Sequence, residues 1–270
     1  MDKNRQFFGV WAVILGGSSG FGFAALQKLA AHGMNIAVVY RETAIAERTL
    51  KEKLNTISAN NQVSILPYNI NALEQSGRDL FLEQIKKVIV DEHCVKVLLH
   101  SIARGNLKRL VDDSGESGNS ELSVDDIQYT AYAMCNSLLD WTRMLLKEGL
   151  FNHDARVIGL TSGGAHKYWE GYAAVSIAKA SLESLSRYMA VEFCSSGLKT
   201  NLIQAGVTET ASLKKIPGSD KLIEMAGKHN PMGRITRPAD VANVIYMLCT
   251  DEAFWINGSL IHVDGGEHCL

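Results

Sequence analysis

Tyr172 and Lys179 are seven residues apart, a spacing at which a phenol and an ammonium group can act on one substrate. Seven steps of an α-helix close two turns to within about 20°, so two helical residues at this spacing share one face. A lysine ammonium near a phenol favours the phenolate and lowers the tyrosine pKa from its reference near 10. We expect Tyr172 to stabilise a developing oxyanion. The alternative is a tyrosine and a lysine on an ordinary helix.

A glycine-rich turn follows the first apolar run and reads Leu-Gly-Gly-Ser-Ser-Gly-Phe-Gly from Leu15 to Gly22. Glycines permit a tight turn and let backbone N–H groups approach a pyrophosphate at a helix N-terminus. The spacing is G-x3-G-x-G, and a glycine-rich turn is often only a turn. Its position between an apolar run and helix-forming residues favours a dinucleotide site.

The second apolar run ends in Tyr40, Arg41 and Glu42, which bear on the choice of dinucleotide. An arginine here accommodates the 2′-phosphate of NADP, whereas an acidic side chain accepts the ribose hydroxyls of NAD. Arg41 therefore favours NADP(H), and Glu42 keeps NAD(H) possible. After the third run, Asn69 and Ile70 are expected where an adenine edge is met by a side-chain amide or a backbone group.

The elements that position these residues alternate as short apolar runs and helix-length amphipathic segments, an order typical of a parallel sheet with helical crossovers. The predicted strands are Val10–Leu15, Asn35–Tyr40, Gln62–Pro67, Val95–His100, Arg156–Thr161, Lys199–Gln204 and Ser259–Val263. The predicted helices are Gly22–His32, Ala44–Ala59, Leu73–Asp91, Val124–Lys147, Tyr172–Cys194 and Pro238–Thr250. We predict an α/β fold in which residues 1–270 form one Rossmann-type domain, a doubly wound parallel sheet of about seven strands.

Two polar stretches, near 104–123 and 209–236, each follow a predicted strand. In open α/β sheets the carboxyl ends of the strands are where ligands bind. We therefore expect both stretches to be substrate loops at that edge of the sheet.

The overall composition excludes several classes of function. A hydrophobic fraction of 46% in 270 residues supplies a sizeable core and argues against a disordered chain. The balance of 27 basic against 29 acidic residues argues against a nucleic-acid binder. No apolar run approaches the roughly 20 residues of a membrane helix. Five cysteines and eight histidines show no metal-ligand spacing, so we expect no metal site and a reducing, cytoplasmic location.

The chain resembles the short-chain dehydrogenase/reductase superfamily, and within it the enoyl-acyl-carrier-protein reductases. Most members carry Tyr-x3-Lys, but Val175 stands at that place, whereas Tyr172 and Lys179 match the Tyr-x6-Lys of the enoyl reductases. His100–Ala103 is similar to the His-Ser-Ile segment of that branch. Gln204–Thr210 is similar to its Ala-Gly-x3-Thr stretch, with Ala205 in place of the commoner proline.

Other positions depart from the enoyl reductase pattern. Leu15 stands where threonine is typical, and Ser162 stands ten residues before Tyr172, where many enoyl reductases have a second tyrosine. Ser162 also lies thirteen residues before Val175, the usual spacing between the catalytic serine and tyrosine of the superfamily. The resemblance therefore implies that Ser162 hydrogen-bonds the substrate carbonyl. A minority NADPH-dependent branch of bacterial enoyl reductases shares these mixed features and agrees with Arg41.

The resemblance implies an NAD(P)H-dependent reductase of the 2,3 double bond of an enoyl thioester, carried on acyl carrier protein or coenzyme A, in fatty-acid biosynthesis. It implies a homotetramer built partly on the helices at 124–147 and 172–194. The implied catalytic residues are Tyr172, Lys179 and Ser162. The expected cofactor contacts are Gly16, Ser18, Ser19, Gly20, Phe21, Gly22, Arg41, Asn69, Ile70, Ser101, Ile102, Ala103, Lys179, Ala205, Gly206, Val207, Thr208 and Thr210.

Two alternatives remain at this point. One is a 3-oxoacyl-acyl-carrier-protein reductase or another carbonyl reductase, in which hydride reaches the carbon that bears the oxygen. In conjugate reduction, by contrast, hydride reaches C3 while charge collects on the thioester oxygen, so the oxyanion stabiliser must reach farther. A tyrosine two helical turns before the lysine, rather than one, is compatible with that offset. The other alternative is a non-catalytic nucleotide-binding protein of the same fold.

Overall fold

The computed structural model describes residues 6–89, 93–111, 121–211, 213–216 and 218–270. Within them, seven parallel strands form one sheet in the order β3-β2-β1-β4-β5-β6-β7. The strands are β1 (Trp11–Leu15), β2 (Asn35–Tyr40), β3 (Ile65–Asn69), β4 (Val95–His100), β5 (Phe151–Ser162), β6 (Leu198–Ala205) and β7 (Leu260–Val263). The α-helices are α1 (Gly20–Ala30), α2 (Ala44–Asn61), α3 (Gln75–Ile85), α4 (Val124–Ala131), α5 (Ser137–Lys147), α6 (Ala173–Glu192), α7 (Ser219–His229) and α8 (Pro238–Cys249).

The predicted Rossmann-type sheet is confirmed, and its strand order reverses between β1 and β4. From β1 the chain runs outward to β2 and β3 and then returns to the other side of β1 as β4. Loops that leave the carboxyl ends of β1 and β4 therefore diverge in opposite directions and open a crevice between them. The glycine turn and the segment after His100 border this crevice.

The core lies in two layers, one on each side of the sheet. Alternate residues of β1 divide between them, so that Val13 packs with Phe81 and Trp141 on one side, while Ile14 packs with Leu26 on the other. Helices α3, α5 and α6 cover the first side, and α1, α2 and α8 cover the second. Because both faces of the central strands are covered, their sequences are continuously apolar rather than alternating.

Two helical features differ from the sequence-based expectation. The predicted helix Val124–Lys147 is interrupted by one π-helical turn, Tyr132–Asn136, between α4 and α5. The stretch 209–236, expected as a loop, contains α7, whose one buried residue is Ser219. The segment Ser219–His229 is short and lies within a longer polar stretch, so the sequence pattern did not mark it as a helix. Residues 112–120, in the other predicted loop, lie outside the described residues. No helix in the described part combines the length and apolar character of a membrane span.

Asp154 organises the amino-terminal end of the sheet by pairing with three cations. Lys96 Nζ lies 2.6 Å from its carboxylate and Lys199 Nζ 2.5 Å, and fully buried Arg156 forms a third ion pair. Arg156 Nε also donates to the Leu248 carbonyl at 2.6 Å, which ties the end of α8 to β5. Burial alone would raise the pKa of Asp154, but the hydrogen bonds from the three cations outweigh it and hold the pKa well below its usual range.

We predict that Asp154→Asn lowers the free energy of unfolding at neutral pH by about 2–3 kcal/mol, because three neighbouring cations lose their shared carboxylate. The depressed pKa means that this stabilisation is present above the unfolded-state value of about 3.9 and is lost as pH falls through the folded-state value. In urea unfolding, the stability difference between wild type and variant should therefore begin to shrink below about pH 4 and should keep shrinking as the pH falls further. The exposed Asp79→Asn is the control and should change stability little. Equal stability of Asp154→Asn and wild type at pH 7 would contradict this account.

Candidate active site

A cavity of about 780 Å³ opens at the carboxyl ends of the strands. Its wall contains the three predicted catalytic residues, Ser162, Tyr172 and Lys179. It also contains most of the predicted cofactor contacts, namely Gly16, Ser18, Ser19, Gly20, Phe21, Arg41, Ile70, Ser101, Ile102, Ala103, Ala205, Gly206, Val207, Thr208 and Thr210. The parallel sheet thus brings together residues that are up to about two hundred positions apart in the chain.

The glycine turn forms a cradle that side chains would fill. Gly16 has φ +81°, and a Cβ there would lie 2.6 Å from the carbonyl oxygen of Ser101. Ser19, at the N-cap of α1, makes no side-chain capping bond, and the first turn of α1 has no acidic residue. The first N–H groups of α1 therefore have no side-chain cap and no nearby repulsive charge. This combination fits the pyrophosphate of a dinucleotide.

Two predicted cofactor contacts, Gly22 and Asn69, lie outside the cavity wall. A Cβ at Gly22 would lie 2.3 Å from the Gly16 carbonyl oxygen, so Gly22 allows α1 to pack beneath the turn. The Asn69 amide accepts from Glu42 N at 3.0 Å and donates to Glu42 O at 3.0 Å and Glu47 Oε2 at 2.9 Å. Its side chain is therefore engaged within the protein, and the contact of Asn69 with adenine stays a prediction.

Arg41 and the nearby acidic side chains differ in what they offer to a ligand. Arg41 is exposed and lies in the cavity wall, and no described residue forms an ion pair with it. Glu42 lies outside the wall, and the Glu47 carboxylate is held by Lys51 at 2.8 Å and by Asn69. The charge presented to the cavity at the end of β2 is therefore positive.

Tyr172 is seated directly against Ser162. Its hydroxyl donates to Ser162 Oγ at 3.3 Å, and the tyrosine is 9% exposed. Ser162 Oγ also accepts from the backbone N–H of Gly164 at 3.2 Å. A Cβ at Gly164 would lie 2.5 Å from Tyr172 Cε1, so this glycine is what admits the tyrosine ring. Two hydroxyl groups are thus held together at the cavity wall.

The relation between Tyr172 and Lys179 differs from the expectation in two respects. Tyr172 is the N-cap of α6 rather than a helical residue, and its carbonyl accepts the first helical hydrogen bond from Ser176 at 2.8 Å. Burial raises the pKa of Tyr172, opposed by the hydrogen bond with Ser162, and Lys179 does not lower it. The expected lowering was wrong because Lys179 Nζ is directed to the Leu160 carbonyl oxygen, 2.8 Å away.

Lys179 and His100 are both buried, and burial disfavours the charge of each. Burial lowers the pKa of Lys179 to about 8, opposed by Cys135 and Glu183. Burial lowers the pKa of His100 to about 3, with a further contribution from the Lys179 charge. His100 Nε2 lies 2.8 Å from Ser137 Oγ, at the start of α5. A neutral His100 therefore joins β4 to α5.

An apolar patch surrounds the Tyr172 ring. Met134, Val175 and Ala178 pack with the ring, and Leu107, Trp169 and Ile216 pack against this group. Met134 belongs to the π-helical turn, and Ile216 lies in the stretch expected as a polar loop. The sequence did not indicate that either residue lines the cavity, because hydrophobic periodicity does not predict helix irregularities or the path of a loop. The cavity therefore pairs two hydroxyls with an apolar wall.

Comparisons with known proteins agree with this architecture. The family model for enoyl-(acyl carrier protein) reductase matches residues 16–268. The enoyl-acyl-carrier-protein reductase (NADH) FabI of Aquifex aeolicus (strain VF5) is 31% identical over 193 residues, which are 70% of this chain and 68% of that protein. The 3-oxoacyl-acyl-carrier-protein reductase FabG of Escherichia coli (strain K12) is 26% identical over 267 residues, 98% of this chain and 100% of that protein.

A crystal structure of the Bacillus cereus enoyl-acyl carrier protein reductase with NADP+ and indole naphthyridinone shares the fold. Its TM-score is 0.84 at 23% identity, with 98% of this chain and 99% of that chain covered. The family model spans nearly the whole chain, including the glycine turn and the Tyr172 region. The chain belongs to the short-chain dehydrogenase/reductase family of nicotinamide-dinucleotide-dependent oxidoreductases, within the group that the enoyl-(acyl carrier protein) reductase model describes.

Proposed function

We propose that the protein reduces the 2,3 double bond of an enoyl thioester with NADPH. The observation that carries this proposal is the seating of the catalytic phenol. Tyr172, two helical turns before Lys179, lies in the cavity wall with its hydroxyl on Ser162. Val175, one turn before Lys179, is buried and apolar. The hydroxyl is therefore supplied one helical turn farther from the lysine than a hydroxyl at position 175 would be, which suits an oxyanion remote from the carbon that is reduced.

The chemistry required of the chain is stabilisation of charge on the thioester oxygen. Bound NADPH supplies the hydride. The raised pKa of Tyr172 keeps the phenol protonated at neutral pH, so the phenol can donate a hydrogen bond to that oxygen. Ser162 supplies a second hydroxyl at the same position. Lys179 Nζ uses one N–H group in its bond to the Leu160 carbonyl oxygen, and its other N–H groups can bind ribose hydroxyls.

The apolar patch around Tyr172 supports an acyl substrate. Met134, Val175 and Ile216 border the phenol and present no charge to the cavity. Such a wall binds the hydrocarbon part of an enoyl chain by excluding water from it. Water exclusion also strengthens the hydrogen bond from Tyr172 to the thioester oxygen.

The charge at the end of β2 supports NADP(H) over NAD(H). Arg41 faces the cavity without an ion-pair partner among the described residues, so its guanidinium is available to a 2′-phosphate. The carboxylate of Glu47 is committed to Lys51 and Asn69, and Glu42 does not reach the wall. Among the residues that the structure describes, a ribose hydroxyl at the end of β2 therefore meets no free carboxylate.

We further infer that the thioester arrives on acyl carrier protein or coenzyme A, in cytoplasmic fatty-acid biosynthesis, and that the chains assemble as homotetramers. Helix α6 supports assembly, because Tyr188 and Val191 are 66% and 73% exposed. Val124, at the start of α4, is 68% exposed. Exposed apolar residues on neighbouring helices are typical of subunit interfaces.

Reduction of a 3-oxoacyl thioester is the second candidate, favoured by the Ser162–Tyr172 hydroxyl pair, which would suit a ketone oxygen. An assay of purified protein with NADPH separates the two candidate reactions. The substrates are crotonyl and acetoacetyl thioesters, each on coenzyme A and on carrier protein. We expect NADPH consumption with the crotonyl thioesters. Consumption with acetoacetyl thioesters alone would establish the second candidate instead. Cofactor binding without any turnover would favour the non-catalytic alternative.

Replacing Tyr172 with phenylalanine should lower kcat for crotonyl-CoA about 10²- to 10³-fold, the usual cost of losing one donor to a developing oxyanion. Steady-state rates of NADPH oxidation measure this. Tyr168→Phe is the matched control, since Tyr168 is 86% exposed in the same loop, and it should retain wild-type kinetics. Full crotonyl-CoA activity of Tyr172→Phe would remove Tyr172 from the active centre.

Replacing Arg41 with alanine should raise the KM for NADPH about tenfold or more, because a charge-assisted contact to the 2′-phosphate is lost. The KM for NADH should change less than twofold. Arg48→Ala removes an exposed arginine outside the cavity wall and should leave both constants unchanged. Equal increases in both KM values for Arg41→Ala would show that Arg41 does not read the phosphate.

A further inference from the structure

Strand β6 holds two buried side-chain atoms with no hydrogen-bond partner among the described residues, Thr200 Oγ1 and Gln204 Oε1. Thr200 is fully buried and lies outside the cavity wall, whereas Gln204 is 5% exposed and lies in it. Buried polar groups are otherwise paired almost without exception. An unpaired amide at a cavity wall therefore indicates a group that is completed by a ligand.

The neighbours of Gln204 leave its amide free. Gln204 is in register with Thr161 on β5 and with His262 on β7, so the three side chains project from one face of the sheet about 4.8 Å apart. Thr161 Oγ1 donates to Glu183 at 2.7 Å, and the same carboxylate binds His166 Nε2 at 2.9 Å. These contacts satisfy Thr161 and Glu183 without using Gln204.

His262 adds a second polar group to this part of the wall. Its ring stacks on that of His268, with centroids 3.8 Å apart. Burial lowers the pKa of His262, reinforced by His268, so the imidazole is neutral at pH 7 and has one donor and one acceptor nitrogen. The carboxylates of Glu183 and Asp264 act on the same ring and disfavour an anionic ligand. A neutral ligand with both an N–H and a C=O group, a secondary amide, matches this wall.

The position of Gln204 relative to Ser162 fits one such amide. A Cβ at Gly163, the residue after Ser162, would lie 3.7 Å from Gln204 Nε2, so the amide adjoins the turn that holds the serine. In thioesters of both coenzyme A and acyl carrier protein, the first amide nitrogen of the carrier arm follows the sulfur by two methylene groups. That reach is roughly 4 Å, comparable to one strand spacing.

We propose that Gln204 binds the first amide of the carrier arm of the thioester substrate and thereby selects carrier-bound acyl groups. This assignment rests on the proposed function. No protein group fixes the orientation of the Gln204 amide within the described residues, so rotation about its last bond presents either the oxygen or the nitrogen to the arm.

Three thioesters test the proposal on Gln204→Leu: crotonyl-CoA, crotonyl-N-acetylcysteamine, which keeps the first amide, and S-ethyl thiocrotonate, which has none. We expect kcat/KM to fall about threefold to tenfold for the first two, through KM, and to stay unchanged for the third. The Tm should stay equal or rise, because an unpaired buried acceptor is removed. Gln204→Met, of similar length, should behave alike.

Thr200→Val is the matched control, since it removes the other unpaired buried atom of β6 away from the cavity. It should keep or raise the Tm and leave all three kcat/KM values unchanged. Three results in Gln204→Leu and Gln204→Met would overturn the Gln204 assignment while leaving the proposed function intact. They are equal losses of kcat/KM on all three thioesters, a lowered Tm, or a raised KM for NADPH. A wild-type protein that reduces none of the three would overturn the proposed function and the assignment with it.

Discussion

The hydrogen bond from Lys179 Nζ to the Leu160 carbonyl oxygen is the contact on which the geometry of the site depends. It fixes α6 against the end of β5, and Tyr172 and Ser162 stand at the adjoining ends of those two elements. A buried ammonium without a hydrogen-bond partner costs free energy. A shift of α6 along β5 would therefore be unfavourable, because Lys179 would lose its bond to Leu160. The hydroxyl pair is therefore set by a constraint two turns into the helix.

Burial then assigns the protonation states around that contact. It raises the pKa of Tyr172, lowers that of Lys179 to about 8 and lowers that of His100 to about 3. One physical cause, the removal of water from the carboxyl end of the sheet, explains all three pKa shifts. It leaves the phenol protonated, the imidazole neutral and the lysine easier to deprotonate than in water. In the proposed reaction the phenol donates to an oxyanion, whereas the imidazole of His100 binds Ser137.

The sheet was predictable because each central strand is covered on both faces, which makes its sequence continuously apolar. The glycine turn and the Tyr172–Lys179 spacing were also visible in the sequence. A close approach of two backbone segments requires glycine, and two residues on one helix face must be separated by whole turns. Helix α7 was missed because it is a short segment inside a longer polar stretch, and the π-helical turn because it is only a local change in hydrogen bonding. The engagement of Asn69 by Glu42 and Glu47 depends on side-chain contacts across two loops, which spacing does not encode. The raised pKa of Tyr172 was likewise not predictable, since it results from the burial of the phenol, which spacing does not show.

The central claim is that hydride adds to C3 of an enoyl thioester while Tyr172 holds the thioester oxygen. The most direct test is product analysis after incubation of the wild-type protein with crotonyl-CoA and NADPH that carries deuterium at the transferable position. Mass spectrometry and NMR locate the label. The account predicts butyryl-CoA with one deuterium, at C3. The account would be contradicted if crotonyl-CoA were recovered unreacted and the deuterium entered only 3-hydroxybutyryl-CoA when acetoacetyl-CoA was supplied.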